Sequence, residues 1–254
     1  RLSIQDLSNN GNQPMLDKEN GNLIIFNGEI YNYKSLRKDL EKQGERFFSH
    51  SDTEVILKLY RKIGLEKSLK IIEGMYSFAI YDKQKNKLFL CKDRFGMKPL
   101  FYNENNNEFI FSSEIKPIIN YCKKIELDKK KIVIPMLMGI HNNSSTYFQN
   151  IKEVGPGEFL VFDINTHKIN KETHSHCSDL IDENYYNQLD GFSHNKLLEH
   201  YDEVFREVVG MHLVSDAPTS ILYSGGLDST LVTKYALEFD KNIECFFFNS
   251  FYSK

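Results

Sequence analysis

No apolar run in this sequence approaches the roughly 20 residues of a membrane-spanning helix, and no secretory signal is recognisable. Cysteine is scarce. Cys91, Cys122, Cys177 and Cys245 stand far apart, without the pairing of a disulfide framework, so the expected home is the reducing cytoplasm. His174-Ser175-His176-Cys177 has no second ligand pair at zinc spacing and reads as a surface loop. Neither sign of charge dominates. There are 32 Lys and Arg against 35 Asp and Glu, a net charge of −3, so nothing global points to nucleic acid or an anionic membrane. The lysine-rich piece from Lys123 to Lys131 has Glu126 and Asp128 interleaved and reads as a solvated helix face. The kinase-type loop GxxxxGK[ST] and the dinucleotide loop GxGxxG are both absent, as is any internal repeat. An initiator Met is absent too. The chain begins at Arg1 and stops at Lys254, soon after the second strand of a new pattern, and so is expected to be a fragment cut at both ends.

What is present suits a globular protein with a real core: 254 residues, 41% hydrophobic and 13% aromatic, enough for one large domain or two modest ones. Leu23-Ile24-Ile25-Phe26 reads as a short strand. A helix follows from Tyr33 to Gln43 with Gly44 as its stop, and another from Thr53 to Ile63, stopped by Gly64. Hairpins then succeed one another. Tyr76 to Tyr81 returns as Lys87 to Cys91, Leu100 to Tyr102 as Phe109 to Ser112, and Gly157 to Phe162 as Lys168-Ile169. Many strands and few helices predict an α+β domain with layered antiparallel sheets over residues 1–170. Residues 171–195 are polar and read as a linker. From residue 196 to 254 the pattern is helix, strand Ser220 to Tyr223, glycine loop, helix and strand Ile243 to Phe248. That is a βαβ unit and the start of a parallel sheet.

The glycine loop is Ser224-Gly225-Gly226-Leu227-Asp228-Ser229. Glycines let a backbone approach an anion, and the first N–H groups of the following helix point at it. Ser224 and Ser229 add hydroxyl donors. Asp228 would repel a bare phosphate and makes sense only with a bridging cation such as Mg²⁺. The plain alternative, Asp228 or Ser229 as a helix cap, explains one residue but not two glycines flanked by two serines.

The loop resembles the pyrophosphate-binding loop of the N-type ATP pyrophosphatases. The stretch from Asp216 to Ser229 is similar to that of glutamine-dependent asparagine synthetases. The resemblance implies ATP and Mg²⁺, with pyrophosphate on Ser224, Gly225, Gly226, Leu227 and Ser229 and the metal at Asp228. It also implies that Leu222 borders the nucleotide and Phe248 lies by the adenine. The amino-terminal part resembles class II glutamine amidotransferases, whose N-terminal-nucleophile fold is a layered αββα. The motifs are Arg1 to Leu7, Gln13-Pro14-Met15, Phe26-Asn27-Gly28-Glu29-Ile30-Tyr31-Asn32, Ser51-Asp52-Thr53-Glu54, Gly74 to Ala79, Asp93 to Leu100 and Ser112 to Lys116. They run in family order.

The chemistry of free glutamine asks for these residue types. Arg1 can fork onto its carboxylate, Asp52 can accept from its ammonium, and Glu29 can help. Asn27 and the Gly28 backbone resemble the oxyanion hole, where one donor is worth about 10²–10³ in rate. Each has a structural alternative: Asp52 as an N-cap, Asn27-Gly28 as a tight turn, Glu29 as a solvent-facing acid, Arg1 as merely the first residue. Arg94 and Glu114 are expected as buried charged partners, Gly96 and Pro99 as turn setters. The nucleophile implied by the resemblance is an amino-terminal cysteine several dozen residues upstream, so the chain as given is expected to be inactive. The implied activity is glutamine-dependent asparagine synthesis through β-aspartyl-AMP. The implied partners are glutamine, aspartate and ATP, with no nucleic acid or membrane, and a homodimer as the assembly. Three other readings stay open: amidation of another carboxylate such as a surface-polysaccharide sugar, a non-catalytic glutamine- or ATP-binding module, and a β-lactam synthetase. The intact NGE and SDTE motifs argue against the last.

Overall fold

A strand that is apolar on both faces must be covered on both. Tyr76-Ser77-Phe78-Ala79-Ile80, buried at every position, imposes that arrangement. The computed structural model describes residues 4–105, 108–122, 125–138 and 146–247. The chain divides into two compact units, Arg1–Leu2 with Ser8–Leu180, and Ser3–Leu7 with Ile181–Lys254.

The first unit contains β1 (Met15–Leu16), β2 (Leu23–Ile30), α1 (Tyr33–Lys42), α2 (Asp52–Ile63), α3 (Leu65–Ile71), β3 (Gly74–Asp82), β4 (Lys87–Lys92), β5 (Phe101–Glu104) and β6 (Phe109–Ser112). It continues with α4 (Ile115–Cys122), α5 (Lys129–Met138), β7 (Ile151–Glu153), β8 (Glu158–Asp163) and β9 (Lys168–Thr173). The strands form two antiparallel sheets, one ordered β1-β2-β3-β4-β8-β9 and one ordered β6-β5-β7. Register decides which side chains share a face. Ala79 lies opposite Leu90, and Leu90 opposite Leu160. These three meet Leu100, Tyr102 and Val154 in a buried cluster between the sheets. On the other face Ile80 lies opposite Ile24 and Phe89, and the Phe89 ring packs 5.5 Å from that of Tyr60 on α2. Helix α2 packs on β2, while α4 packs on β5 and β6. The layers are therefore helix, sheet, sheet, helix, the αββα order expected. Truncating Ile24, Ile80 or Leu90, all fully buried, to alanine would cost about 2–5 kcal/mol.

Local chemistry sets the boundaries. Helix α2 ends where Gly64 turns to φ +79° and donates its N–H to Tyr60 O at 2.9 Å, a helix stop that glycine makes without strain. The chain then re-enters a helix at once as α3, which Gly64 as a stop signal concealed. Among the described residues of the lysine-rich piece, only Lys129 to Lys131 are helical. Asp128 opens α5 by accepting from the N–H groups of Lys130 and Lys131 at 3.1 and 3.3 Å, and Leu127 pairs with Phe148 as a β-bridge. Lys123 and Lys124 lie outside the described residues.

The second unit contains α6 (Glu183–Asp190), α7 (His194–His212), β10 (Ser220–Tyr223), α8 (Leu227–Phe239) and β11 (Glu244–Phe247). Residues 171–195, read as a linker, thus hold the end of β9, a 3₁₀ turn at Cys177–Leu180 and α6. Asp182 caps α6 by accepting from the N–H groups of Asn184 and Tyr185. Strands β10 and β11 are parallel, with Ile221 opposite Cys245, as the βαβ pattern predicts. Val209, Ile221, Tyr235, Ala236 and Ile243 form the core. The segment Ile4 to Leu7 is stitched into this unit. Asp216 N–H donates to Ile4 O at 3.0 Å, Asp6 N–H donates to the Asp216 carboxylate at 2.8 Å, and Gln5 donates to Val214 O at 2.8 Å. Among the described residues no helix is long and apolar enough to cross a membrane.

Candidate functional site

The outer edge of β2 is where the first unit concentrates its polar chemistry. Phe26 N–H donates to the Gln13 side-chain carbonyl at 2.7 Å. Ile30 N–H donates to Asp52 Oδ2 at 3.1 Å. Both amides therefore face away from β3. Gly28 lies midway between them and shares their two-residue period. Its cross-strand neighbour Tyr76 directs both backbone groups the other way. Tyr76 N–H donates to Asp93 Oδ2 at 3.1 Å, and Tyr76 O accepts from Asp93 N–H at 2.9 Å. The Gly28–Tyr76 rung thus carries no cross-strand ladder bond, and Gly28 N–H faces the same outer edge as those of Phe26 and Ile30.

Only glycine fits there. Gly28 has φ +149°, and a Cβ would overlap the Met75 carbonyl oxygen and lie 2.7 Å from Tyr76 Cα. Gly74 mirrors it: a Cβ there would overlap the Glu29 carbonyl oxygen and lie 2.9 Å from Ile30 Cα. Asn27 lies in the β2 strand, not in a tight turn. Its Nδ2 donates to Ser113 Oγ at 3.3 Å, and it lines a cavity of about 280 Å³ with Gln13, Ser77, Ser112 and Ser113.

The SDTE stretch distributes four tasks. Ser51 caps α2, its hydroxyl accepting from Thr53 N–H at 3.2 Å. Asp52 is therefore the first helical residue and not the cap. Its carboxylate, 2% exposed as a residue, ties α2 to β2 through Ile30. Burial pushes the Asp52 carboxyl up to about 6, although the bonds from Ile30, Thr53 and Ser51 pull it down. Thr53 Oγ1 accepts from Gln13 Nε2 at 3.4 Å, so Gln13 bridges β2 and α2. Glu54 accepts from the Phe48 and Ser49 amides and the Ser49 hydroxyl. Glu29 is buried, not solvent-facing. Its charge and that of Asp93 help burial push the Tyr31 phenol up to about 12.

The structure thus brings Asn27, Gly28, Glu29 and Asp52 together around one strand end. Arg1 lies outside the described residues. Of the expected buried charges, Glu114 is exposed and Arg94 half-buried. The fully buried one is Asp93, which sequence reasoning passed over. Gly96 does set a turn, at φ +69°. Cys91 is fully buried in β4, and burial pushes its thiol well above the ordinary value, which removes it as a nucleophile.

In the second unit the glycine loop is open. Gly225 takes φ +79° and Gly226 is the N-cap of α8, with no side-chain cap. Ser224 Oγ and Ser229 Oγ lie 3.0 Å apart. Ser229 and Thr230 hydroxyls donate to Gly226 O at 3.1 and 2.8 Å. Asp228 is exposed in the first turn and is not the cap. Leu222 and Leu227 are exposed too. Phe248 lies outside the described residues.

Comparison with known proteins agrees with this anatomy. The asparagine synthase family profile matches residues 200–250. Asparagine synthetase [glutamine-hydrolyzing] 2 of Bacillus subtilis is 37% identical over 94% of this chain and 32% of its own length. Asparagine synthetase [glutamine-hydrolyzing] 1 of the same organism is 33% identical over 97% of this chain and 37% of its own. Amidase chry2 of Gibberella zeae is 29% identical over 91% of this chain and 33% of its own. The chain thus spans about a third of the length of these relatives. A solved glutamine phosphoribosylpyrophosphate amidotransferase from B. subtilis, complexed with ADP and GMP, superposes with a TM-score of 0.50 at 18% identity, over 96% of this chain and 50% of that one. That likeness is one of fold. The glutamine amidotransferase domain profile covers residues 1–174, well over half of the chain, and this chain belongs to the glutamine amidotransferase family.

Proposed function

We propose that the chain carries the glutamine-handling half and the opening of the nucleotide-handling half of a glutamine-dependent asparagine synthetase. The observation that carries this reading is the outer edge of β2, where the Gly28 N–H faces outward beside the Asn27 carboxamide. Attack of a thiolate on the glutamine amide carbon makes a tetrahedral oxyanion, and two fixed donors are what it needs. In this reading Asn27 Nδ2 and Gly28 N–H receive that oxyanion. The C–N bond then breaks, ammonia leaves, and water releases glutamate from the thioester. Asp52, ionised above about pH 6, accepts from the substrate ammonium, with Glu29 adding negative charge. Arg1 forks onto the substrate carboxylate. The nucleophile is an amino-terminal cysteine of the full-length protein, whose α-amino group is the base.

The glycine loop fits the second half. A left-handed Gly225, an α8 start without a side-chain cap, two hydroxyls and an exposed carboxylate suit a pyrophosphate with Mg²⁺. Ser224, Gly225, Gly226, Leu227 and Ser229 would hold the pyrophosphate and Asp228 the metal, with Leu222 and Phe248 bordering the nucleotide. ATP supplies activation of the aspartate β-carboxylate as an acyl adenylate, which ammonia then attacks. A cytoplasmic location suits the unpaired cysteines, and a homodimer belongs to the same proposal.

The test is Asp52→Ala in the full-length protein. Glutamine-dependent asparagine formation should fall at least about a hundredfold while ammonia-dependent formation persists. Unchanged glutamine turnover would sink the assignment. The second reading is amidation of another carboxylate, since one relative is named an amidase and not an asparagine synthetase. Glutamine turnover without asparagine or pyrophosphate from aspartate and ATP would favour it.

A further inference from the structure

Asp93 is fully buried and its carboxylate is saturated by backbone. Oδ1 accepts from Phe95 N–H and Met97 N–H, both at 3.0 Å. Oδ2 accepts from Tyr76 N–H and Lys98 N–H, both at 3.1 Å. Its own carbonyl accepts from Gly96 at 3.0 Å and Gly157 at 2.9 Å. Strand β4 pairs with β3 only as far as Lys92 opposite Ser77. Asp93 then supplies one more rung, with its backbone N–H to Tyr76 O and its carboxylate to Tyr76 N–H. Tyr76 is held from the β4 side and so has nothing to offer Gly28 on the β2 side.

We propose that Asp93 is a positioning residue for glutamine hydrolysis. By fixing Tyr76 it fixes the close Gly28–Tyr76 rung and keeps the Gly28 N–H directed at the outer edge of β2. The inference rests on the reading of Gly28 as an oxyanion donor. It adds that the donor's aim is set from the next strand, by a carboxylate that touches no substrate. A buried charge with four amide donors is favourable only when all four are in place. Such a device defines one geometry and tolerates little else.

The oxyanion forms only in the tetrahedral intermediate and the transition states that flank it, not in bound glutamine, so misaiming its donor lowers kcat and leaves substrate binding alone. The test is Asp93→Asn in the full-length protein, which turns one carboxylate oxygen into an amide donor facing two N–H groups. The wild type is assayed first; no glutamine turnover there would overturn the functional reading and this inference with it. Given turnover, the variant should lose about tenfold or more in glutaminase kcat, with KM for glutamine within about twofold and ammonia-dependent synthesis retained. Gly96→Ala strains the same turn while leaving the carboxylate in place, since Gly96 has φ +69° and an added Cβ would lie 2.9 Å from Pro156 Cγ, and should move the same ratio in the same direction. Hydrogen exchange at the Tyr76 amide, which donates to Asp93 Oδ2, should speed up in both variants. Equal loss of glutamine- and ammonia-dependent activity, a change confined to KM, or unchanged kcat would each overturn the assignment.

Discussion

Asp52 and Asp228 are both aspartates in the first turn of a helix, and both stand beside serine in a short motif. The protein treats them in opposite ways. Asp52 follows a capping serine, sits 2% exposed, and is bonded to the neighbouring strand. Asp228 follows an uncapped glycine turn and is exposed. The first helix start is completed by the protein itself. At the second, the loop hydroxyls bond one another and the Gly226 carbonyl. In the proposed reading, the site for a small zwitterion is built in advance within a two-sheet fold, at a price in buried charge. A site for a polyanion can be left open, because the anion supplies what the helix start wants.

Three substitutions sharpen or break that contrast. The largest effect is expected for Gly28→Ala, which adds a Cβ where backbone already stands. Strain and overpacking together should cost about 3 kcal/mol or more in urea unfolding, with glutamine turnover lost. A cost below about 1 kcal/mol would mean that the β2 edge yields, and that this site is not built in advance.

Next comes Asp52→Asn. A carboxyl raised from 3.8 to about 6 contributes most to stability below pH 3.8, and that contribution is lost as pH rises through 6. The variant should therefore match the wild type near pH 4 and exceed it at pH 8 by up to about 3 kcal/mol, at 1.36 kcal/mol per unit. Equal stability differences at both pH values would show that Asp52 is not a strained buried charge.

Asp228→Ala should change stability by less than about 0.5 kcal/mol while ATP–pyrophosphate exchange in the full-length protein disappears. Intact exchange would leave Asp228 with no role in the nucleotide half.

The fold was largely legible because its signals are local. Alternation in the hairpins, glycine stops and the strand–loop–helix switch each sit within a few residues. The short α3 was missed because Gly64, at φ +79°, ends one helix and starts the next. Helix α6 was missed because it is polar and takes its start from the Asp182 cap. At the candidate site, the motifs single out Asn27, Gly28, Glu29 and Asp52, which the fold gathers around one end of β2. Two questions left open in sequence are answered by geometry: Ser51 is the cap, and Glu29 is buried. Asp93 was passed over in favour of Arg94 and Glu114. Nothing in Asp-Arg-Phe-Gly says which charge turns inward, since that depends on Tyr76, 17 positions away along the chain. The available signal was an aspartate at a strand end ahead of a glycine turn, which commonly accepts from the amides that follow it.

The two glycines at the β2–β3 seam, Gly28 and Gly74, have a consequence for variation of this scaffold. A Cβ at Gly28 collides with the backbone of Met75 and Tyr76, and a Cβ at Gly74 with that of Glu29 and Ile30. Neither collides with the other's side chain. Exchanging both would therefore sum two penalties and relieve neither. Neither rung, Gly28 with Tyr76 or Ile30 with Gly74, offers a side chain whose change would relieve the clash. Diversified libraries, or recombination between relatives with crossovers anywhere in these strands, would retain function only in members that inherit both glycines unchanged.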